Sequence, residues 1–129
     1  MTWRSKKQDG VSRSSAEAEC RAMAQTTCEM LWLKHLLEDL GFAQKVHMPM
    51  YCDNQSAIYI AKNPVFHDRT KHIEVDCHLV RDDVMKNIIS TPFTPSAEQL
   101  ADVLTKAVSS KVFSILCNKL GMIDIYAPA

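Results

Sequence analysis

The 129 residues are 47% hydrophobic and 23% charged, a composition that predicts one soluble domain with a modest core. Fifteen basic and fifteen acidic side chains cancel, which excludes nucleic-acid binding through a general basic excess and leaves only a local patch for such a partner. No apolar run approaches the roughly 20 residues that span a bilayer and no signal-peptide core follows Met1, so we expect an intracellular protein, in cytoplasm or nucleus, with no membrane partner.

The chain opens with a predicted strand end and turn. Residues 3–8 form a short basic stretch, and Asp9 and Gly10 form a dipeptide that favours a tight turn because glycine tolerates positive φ. We therefore assign residues 1–11 to the end of a strand and its turn.

A long helix is predicted next. Ser14 stands three residues before Glu17, the capping-box spacing that starts a helix. The helix should end near Leu40, because Gly41 can take the left-handed position that follows a last helical turn. Between these ends, helical spacing is kept by Cys20, Met23, Ala24, Thr27, Met30, Leu31, Leu36 and Leu37.

The middle of the chain predicts a strand, a polar turn and a helix. Val46–Cys52 is a short strand candidate in spite of Pro49, and Asp53 stands at its C-terminal end, directly before the turn and helix. Asn63–Thr70, which contains Pro64, is interpreted as a loop.

The second half predicts a third helix, a strand and two further helices. The third helix follows from the spacing of Ile73, Cys77, Val80 and Val84. Ile88–Thr94 is a strand candidate, and Ser96 followed by Gln99 repeats the capping-box spacing, so a fourth helix should start near Ser96. Gly121 closes a last helix and leaves residues 122–129 as a tail; the apolar face of that helix is Phe113, Leu116, Cys117 and Leu120.

The cysteines and histidines show neither a disulfide framework nor a zinc pattern. Five cysteines occur without a Cys-x-x-Cys pair, and their odd number favours reduced thiols. His72, Cys77 and His78 do not have the spacing of zinc ligands, so structural zinc is not predicted.

Three carboxylates stand at positions that could converge. Glu19 lies in the first turns of the long helix, Asp53 at a strand end, and Asp102 in the helix after Pro95. Ligands of open α/β sheets bind at the C-terminal ends of strands, and two Mg²⁺ ions about 4 Å apart need several hard oxygen ligands. Spacing alone leaves open the alternative that each is a solvated surface acid.

Five short motifs follow one another in the chain, namely Ser12–Glu19, Tyr51–Ala57, Asn63–His67, Arg69–Glu74 and Gln99–Lys106. In this order they resemble the C-terminal ribonuclease H region of copia-type retrotransposon polyproteins. The resemblance covers essentially the whole chain, and it depends on five motifs in register rather than on any one of them.

The resemblance implies an α/β ribonuclease H-like fold and Mg²⁺-dependent, or Mn²⁺-dependent, cleavage of RNA in an RNA–DNA hybrid. Carried over by motif, Glu19, Asp53 and Asp102 are the catalytic metal ligands, and Glu17 is the weaker alternative to Glu19. Asn54 and Gln55 would lie where the substrate backbone approaches the metals.

Further positions in the family-like stretches concern nucleic acid. Arg69, Lys71 and His72 could form the local phosphate patch that the net charge does not provide, or else a solvated basic turn. Asp76 lies in a family-like stretch as well, but its helical neighbours favour a surface acid.

The sequence departs from the family in two ways. An aromatic residue is usual where this chain has Cys20, which changes packing only. The family's first catalytic aspartate lies on a first strand, upstream of the stretch equivalent to residues 3–8, and Asp9 follows that strand and is no substitute. We therefore expect a single partial domain over residues 1–129, incomplete, helix-rich and with a reduced sheet.

A reduced sheet also predicts a partner. The strand order 3-2-1-4-5 of the family would leave an unpaired edge near Val46–Cys52, and unpaired edges attract another strand. Met30, Leu33 and Leu37 would add an exposed apolar patch. We therefore predict a homo-oligomer, or another protein chain that completes the sheet.

Two functions follow from the sequence. The first is hybrid cleavage that is weak or absent in this chain alone, because one of the family's four carboxylates is not present. The second is a domesticated, non-catalytic protein–protein interaction module; a cloned fragment without separate biology is also compatible.

Overall fold

The longest helix, α1, spans Ser15–Asp39, and the computed structural model describes residues 11–43, 46–63 and 74–123. The predicted capping box starts it. Ser14 Oγ accepts a hydrogen bond from the Glu17 backbone N–H at 3.2 Å, and the Glu17 carboxylate accepts from the Arg13 N–H at 2.7 Å. The Ser14 side chain therefore satisfies one backbone donor of the first turn, and the Glu17 carboxylate binds the N–H of the residue before the cap, so the helix begins where the sequence predicts.

Gly41 ends α1 in the way the sequence predicts. Its φ is 84°, in the left-handed region that glycine tolerates. The Gly41 N–H donates to the Glu38 carbonyl at 3.0 Å and the Phe42 N–H donates to the Leu37 carbonyl at 2.7 Å, which is the pair of bonds of a Schellman motif. The predicted helix end is confirmed.

The remaining elements of the described residues are short. They are β1 (Met48–Pro49), α2 (Gln55–Lys62), α3 (Glu74–Met85), β2 (Ile89–Ser90), a 3₁₀ turn (Ser96–Glu98), α4 (Asp102–Thr105) and α5 (Ser110–Lys119). The predicted strand remnant at residues 1–11 lies outside the described residues except for Val11, and so does the tail beyond residue 123.

Strands β1 and β2 form a small parallel sheet, with Met48 opposite Ile89. Alternate N–H groups continue the pairing beyond the two strands, because Met50 donates to the Ser90 carbonyl and Cys52 to the Pro92 carbonyl. A bridge between Cys52 and Phe93 closes the ladder. The predicted strand regions therefore pair, and Asp53 follows at the C-terminal end of the first.

The core lies between this sheet and three helices. Its buried members come from α1, α2, α3 and both strand regions: Met23, Ala24, Met50, Cys52, Ala57, Ala61, Val80 and Ile89. Small residues on α2 let that helix approach closely, since Ala57 and Ala61 are both fully buried. The result is a helix-rich α/β arrangement with a two-stranded parallel sheet in the described part of the chain.

Part of the predicted apolar patch on α1 is covered. Met30 packs against the core and Leu37 is half-buried, so the expectation of a patch that is open at all three residues is wrong. Leu33 is exposed, at 47% of its surface. Among the described helices, none combines the length and apolar character needed to cross a membrane.

The predicted fourth helix at Ser96 is the main error in the secondary structure. Residues Ser96–Glu98 form only a 3₁₀ turn, and α4 begins at Asp102. Ser96 Oγ donates to Asp53 Oδ2 at 2.8 Å, and Gln99 Nε2 donates to the Tyr51 carbonyl at 3.4 Å. Both side chains therefore bond to the end of the β1 region instead of capping a helix.

Candidate functional site

The end of the parallel sheet brings acidic residues from separate parts of the chain together. Asp53 directly follows the Cys52 bridge, and Asp102 is the first residue of α4. Glu19 lies near the start of α1. The strand end at Asp53 and the capped helix that carries Glu19 are predicted from the sequence, whereas the helix start at Asp102 replaces the start predicted near Ser96.

Lys106 joins two of these acids. Its Nζ lies 2.8 Å from Asp102 Oδ1, one helical turn away, and 3.8 Å from Asp53 Oδ2. The hydrogen bond to Asp102, and then the charges of Asp102, Asp53 and Glu19, raise the pKa of Lys106 above its ordinary value. One ammonium group therefore neutralises part of the negative charge of the cluster at neutral pH.

Glu19 responds to the same charges. Burial is the main cause that raises the pKa of its carboxyl group, and the negative charges of Asp53 and Asp102 add to it while Lys106 opposes them. A divalent cation would relieve this repulsion. Glu19, Asp53 and Asp102 thus form one electrostatically coupled group, which we call the acidic cluster.

The acidic cluster has the right donors for a hard cation, since carboxylate oxygens are the ligands that Mg²⁺ and Mn²⁺ take in proteins. The three side chains do not lie close enough together to surround one metal ion. Among residues 11–43, 46–63 and 74–123, no three His, Cys, Asp or Glu side chains form a group that could hold a metal ion. Two of the three acids instead face the ammonium group of Lys106. The three residues therefore have the ligand type that Mg²⁺ and Mn²⁺ prefer, and Lys106 contacts two of the three carboxylates.

The roles of Ser96 and Lys106 at this site were not predicted from the sequence. Ser96 donates to the Asp53 oxygen, Oδ2, that Lys106 also contacts, so this carboxylate is held by two groups. The pairing of Lys106 with Asp102 could have been predicted, because opposite charges four residues apart on a helix pair. No sequence pattern predicts the contact of Lys106 with Asp53.

The two residues predicted to lie near the substrate, Asn54 and Gln55, have different environments. Asn54 caps α2, since its Oδ1 accepts from the Ala57 N–H at 3.1 Å. Gln55 is exposed and lines an open surface pocket with Ser56, Tyr59 and Ile60.

The predicted phosphate patch lies elsewhere in the chain. Arg69, Lys71 and His72 are outside the described residues, so the patch stays a prediction.

Two other acids have structural roles. Glu17, the alternative to Glu19, is buried and its carboxylate belongs to the capping of α1. Asp76 lies 3.6 Å from Arg21 Nε of α1 through its Oδ2, so it pairs two helices. Neither contributes to the acidic cluster.

Comparison with known proteins places the chain within longer relatives. It is 44% identical over 126 residues to the retrovirus-related Pol polyprotein from transposon RE2 of Arabidopsis thaliana, covering 97% of this chain and 9% of that polyprotein. It is 41% identical over 122 residues to the retrovirus-related Pol polyprotein from transposon TNT 1-94 of Nicotiana tabacum, covering 95% and 9%.

A more distant relative is the transposon Ty1-DR5 Gag-Pol polyprotein of Saccharomyces cerevisiae, at 27% identity over 107 residues, which is 82% of this chain and 6% of that polyprotein. No protein-family model and no solved structure matches. The chain spans at most 9% of the length of these three relatives. It is homologous to one segment of the retrovirus-related Pol polyproteins of transposons, and it is retrotransposon-derived.

Proposed function

We propose that this chain is the ribonuclease H segment of a copia-type retrotransposon polyprotein. In this proposal Glu19, Asp53 and Asp102 bind Mg²⁺, or Mn²⁺ in its place, for cleavage of the RNA strand of an RNA–DNA hybrid. The observation that supports it most is the contact of Asp53 and Asp102 with one ammonium group, at 3.8 and 2.8 Å, with Glu19 within reach of their charges.

The position of the acidic cluster supports the proposal. Asp53 stands at the C-terminal end of a strand in a parallel sheet, where open α/β sheets bind their ligands. Asp102 and Glu19 come from helices on either side of it in sequence. A ribonuclease H-like α/β fold with a reduced sheet is part of the proposal.

The chemistry of the cluster suits phosphodiester cleavage. When bound, divalent ions supply an activated water and stabilise the leaving oxygen. The chain's own residues would hold and orient the ligands: Ser96 fixes one oxygen of Asp53, and burial with like-charge repulsion keeps Glu19 sensitive to an added cation. Gln55 is the exposed candidate for contact with the substrate backbone.

Ion binding is the primary test, because the sequence predicts weak or absent cleavage by this chain alone. The chain would be titrated with Mn²⁺, and free Mn²⁺ followed by electron paramagnetic resonance. We expect Asp53→Asn and Asp102→Asn each to weaken binding by about tenfold or more, since each removes a charged oxygen donor. Asp76→Asn is the matched control, because that acid pairs with Arg21. Equal affinity in all four proteins would contradict the proposal.

Cleavage is the second test. The chain would be incubated with labelled RNA in an RNA–DNA hybrid and, in parallel, with single-stranded RNA. Any activity of the proposed kind has to require Mg²⁺ or Mn²⁺, be confined to the hybrid, and disappear in Asp53→Asn while circular dichroism shows the fold unchanged. Hybrid cleavage that survives this substitution would refute the assigned role of Asp53.

A non-catalytic interaction module is the second candidate, and one surface favours it. At the end of α1, apolar side chains stand on one helical face and continue into the cap: Trp32, Leu36, Leu40 and Phe42 are 58%, 39%, 62% and 66% exposed. A contiguous apolar surface of this kind marks protein-binding sites. Under this function, substitutions in the acidic cluster would leave partner binding intact, and Leu40→Asp would abolish it.

A further inference from the structure

Two cysteines meet in the interior between α1 and α3. Cys20 and Cys77 are 0% and 4% exposed, and their sulfur atoms lie 2.8 Å apart although 57 residues separate them in sequence. Both are free thiols. Together with Ile60 they form a small cluster of their own beside the main core. Nothing in the proposed cleavage reaction uses them.

The two sulfur atoms lie close to the distance of a disulfide bond. A disulfide has an S–S length of about 2.05 Å, so the sulfur atoms need to approach by less than about 1 Å. The helices that carry them are braced at the same level by the ion pair between Arg21 and Asp76, residues adjacent to Cys20 and Cys77. Little backbone movement is therefore needed.

The contact itself does not distinguish the two thiols. Either sulfur atom can donate the hydrogen bond to the other at 2.8 Å. Since the thiolate is the reactive form of cysteine, either residue can attack an oxidant, and the neighbouring thiol then resolves the product.

We infer that Cys20 and Cys77 are a modification site that forms a reversible intramolecular disulfide when the chain meets a peroxide. The thiolate of one cysteine attacks one peroxide oxygen, which breaks the O–O bond, gives a sulfenic acid and releases the other oxygen as water after it takes a proton. The second cysteine then displaces the sulfenic oxygen as a second water and forms the S–S bond. The two thiols lose two electrons and two protons, and one hydrogen peroxide becomes two waters.

The disulfide would constrain the turn of α1 that carries Glu19. Cys20 follows Glu19 directly, so a covalent link from Cys20 to α3 would fix the turn of α1 that carries one acid of the acidic cluster. Glu19 itself is not consumed. Oxidation therefore stabilises the packing of α1 on α3 without removing a proposed metal ligand.

The test uses the whole chain treated with hydrogen peroxide, unfolded, alkylated with iodoacetamide and digested without reductant. Mass spectrometry should find a Cys20–Cys77 linked peptide, with the loss of two hydrogens, that disappears with dithiothreitol. The midpoint of thermal unfolding should rise by about 5 °C or more, as expected for a bond that closes a long loop. Recovery of both cysteines as alkylated or over-oxidised single residues would overturn the inference.

Cys28 provides the matched control, because it lies on the same helix and is exposed. Cys28→Ser should keep both the linked peptide and the rise in unfolding temperature, whereas Cys20→Ser and Cys77→Ser should lose both. If either buried substitution fails to fold, the peptide map of the unsubstituted chain still decides the question. Disulfides formed only through Cys28 between two molecules would likewise overturn it.

Discussion

Lys106 is the cation that the acidic cluster already contacts, and its removal should strengthen the binding of a divalent ion. The perturbation is Lys106→Met, which keeps the length and apolar stem of the side chain but removes the charge. Lys106 lies 2.8 Å from Asp102 and 3.8 Å from Asp53. A divalent ion that takes these oxygens as ligands must displace the ammonium group or bind beside it, and both oppose binding.

The expected magnitude follows from these distances. Two unit charges about 4 Å apart in water interact strongly enough to change an equilibrium constant roughly fivefold, and the double charge of the ion squares that factor to about 30-fold as an upper limit. Lys106 is exposed at the surface, and salt screens such charges at distances near the Debye length. We therefore expect Lys106→Met to bind Mn²⁺ about fivefold more tightly, and the gain to shrink as ionic strength rises.

The assay is the Mn²⁺ titration by electron paramagnetic resonance, at low salt and again at about 0.5 M salt, where the Debye length is a few Å. Lys106→Arg is the matched control, because it keeps the charge and should bind Mn²⁺ as the unsubstituted chain does. An affinity that is unchanged or lower in Lys106→Met would refute the reasoning. It would show that the carboxylates do not have to release Lys106 in order to bind the ion.

Three further predictions concern the cluster and the surface around it. Ser96→Ala should weaken Mn²⁺ binding about tenfold, as measured by the same titration, because it frees Asp53 from an orienting hydrogen bond; Ser96→Thr should restore it. Glu19→Gln should raise the midpoint of thermal unfolding at pH 7 but not below pH 4.5, the ordinary pKa of a glutamate. Burial raises the pKa of Glu19, so the ionised carboxylate destabilises the folded state. This penalty vanishes at low pH, where the carboxyl group is protonated in both the folded and the unfolded state. Sedimentation velocity should show a homodimer that Leu40→Asp converts to a monomer, since Leu40 is 62% exposed; a monomer of the unsubstituted chain at micromolar concentration would contradict this prediction.

Local chemistry decided which parts of the fold could be predicted. The two ends of α1 follow from Ser14, Glu17 and Gly41, whose effects act within four residues along the chain. The strand that ends before Asp53 follows from a short apolar run and a polar turn. In each case the interacting groups are neighbours in sequence, so the pattern contains the information.

Ser96 shows where such reasoning fails. Its spacing to Gln99 satisfies the capping-box pattern, yet its hydroxyl donates to a carboxylate 43 residues earlier in the chain. Serine bonds to whichever acceptor the fold brings near, and a carboxylate is a stronger acceptor than a neutral backbone group. Asn54 is the opposite case, because a purely local cap accounts for a side chain that the resemblance assigned to substrate.

The acidic cluster and the buried thiol pair share one turn of α1 without sharing a residue. Glu19 and Cys20 are adjacent, and adjacent residues on an α-helix point about 100° apart. The charges of Asp53 and Asp102 contribute, after burial, to the raised pKa of Glu19, while the next side chain, Cys20, contacts Cys77 of α3. Because the two features use different side chains, Asp53→Asn should weaken ion binding and leave disulfide formation intact, and Cys77→Ser should abolish the disulfide and leave ion binding intact. The geometry of one helical turn thus makes the proposed metal site and the thiol pair structurally adjacent and experimentally separable.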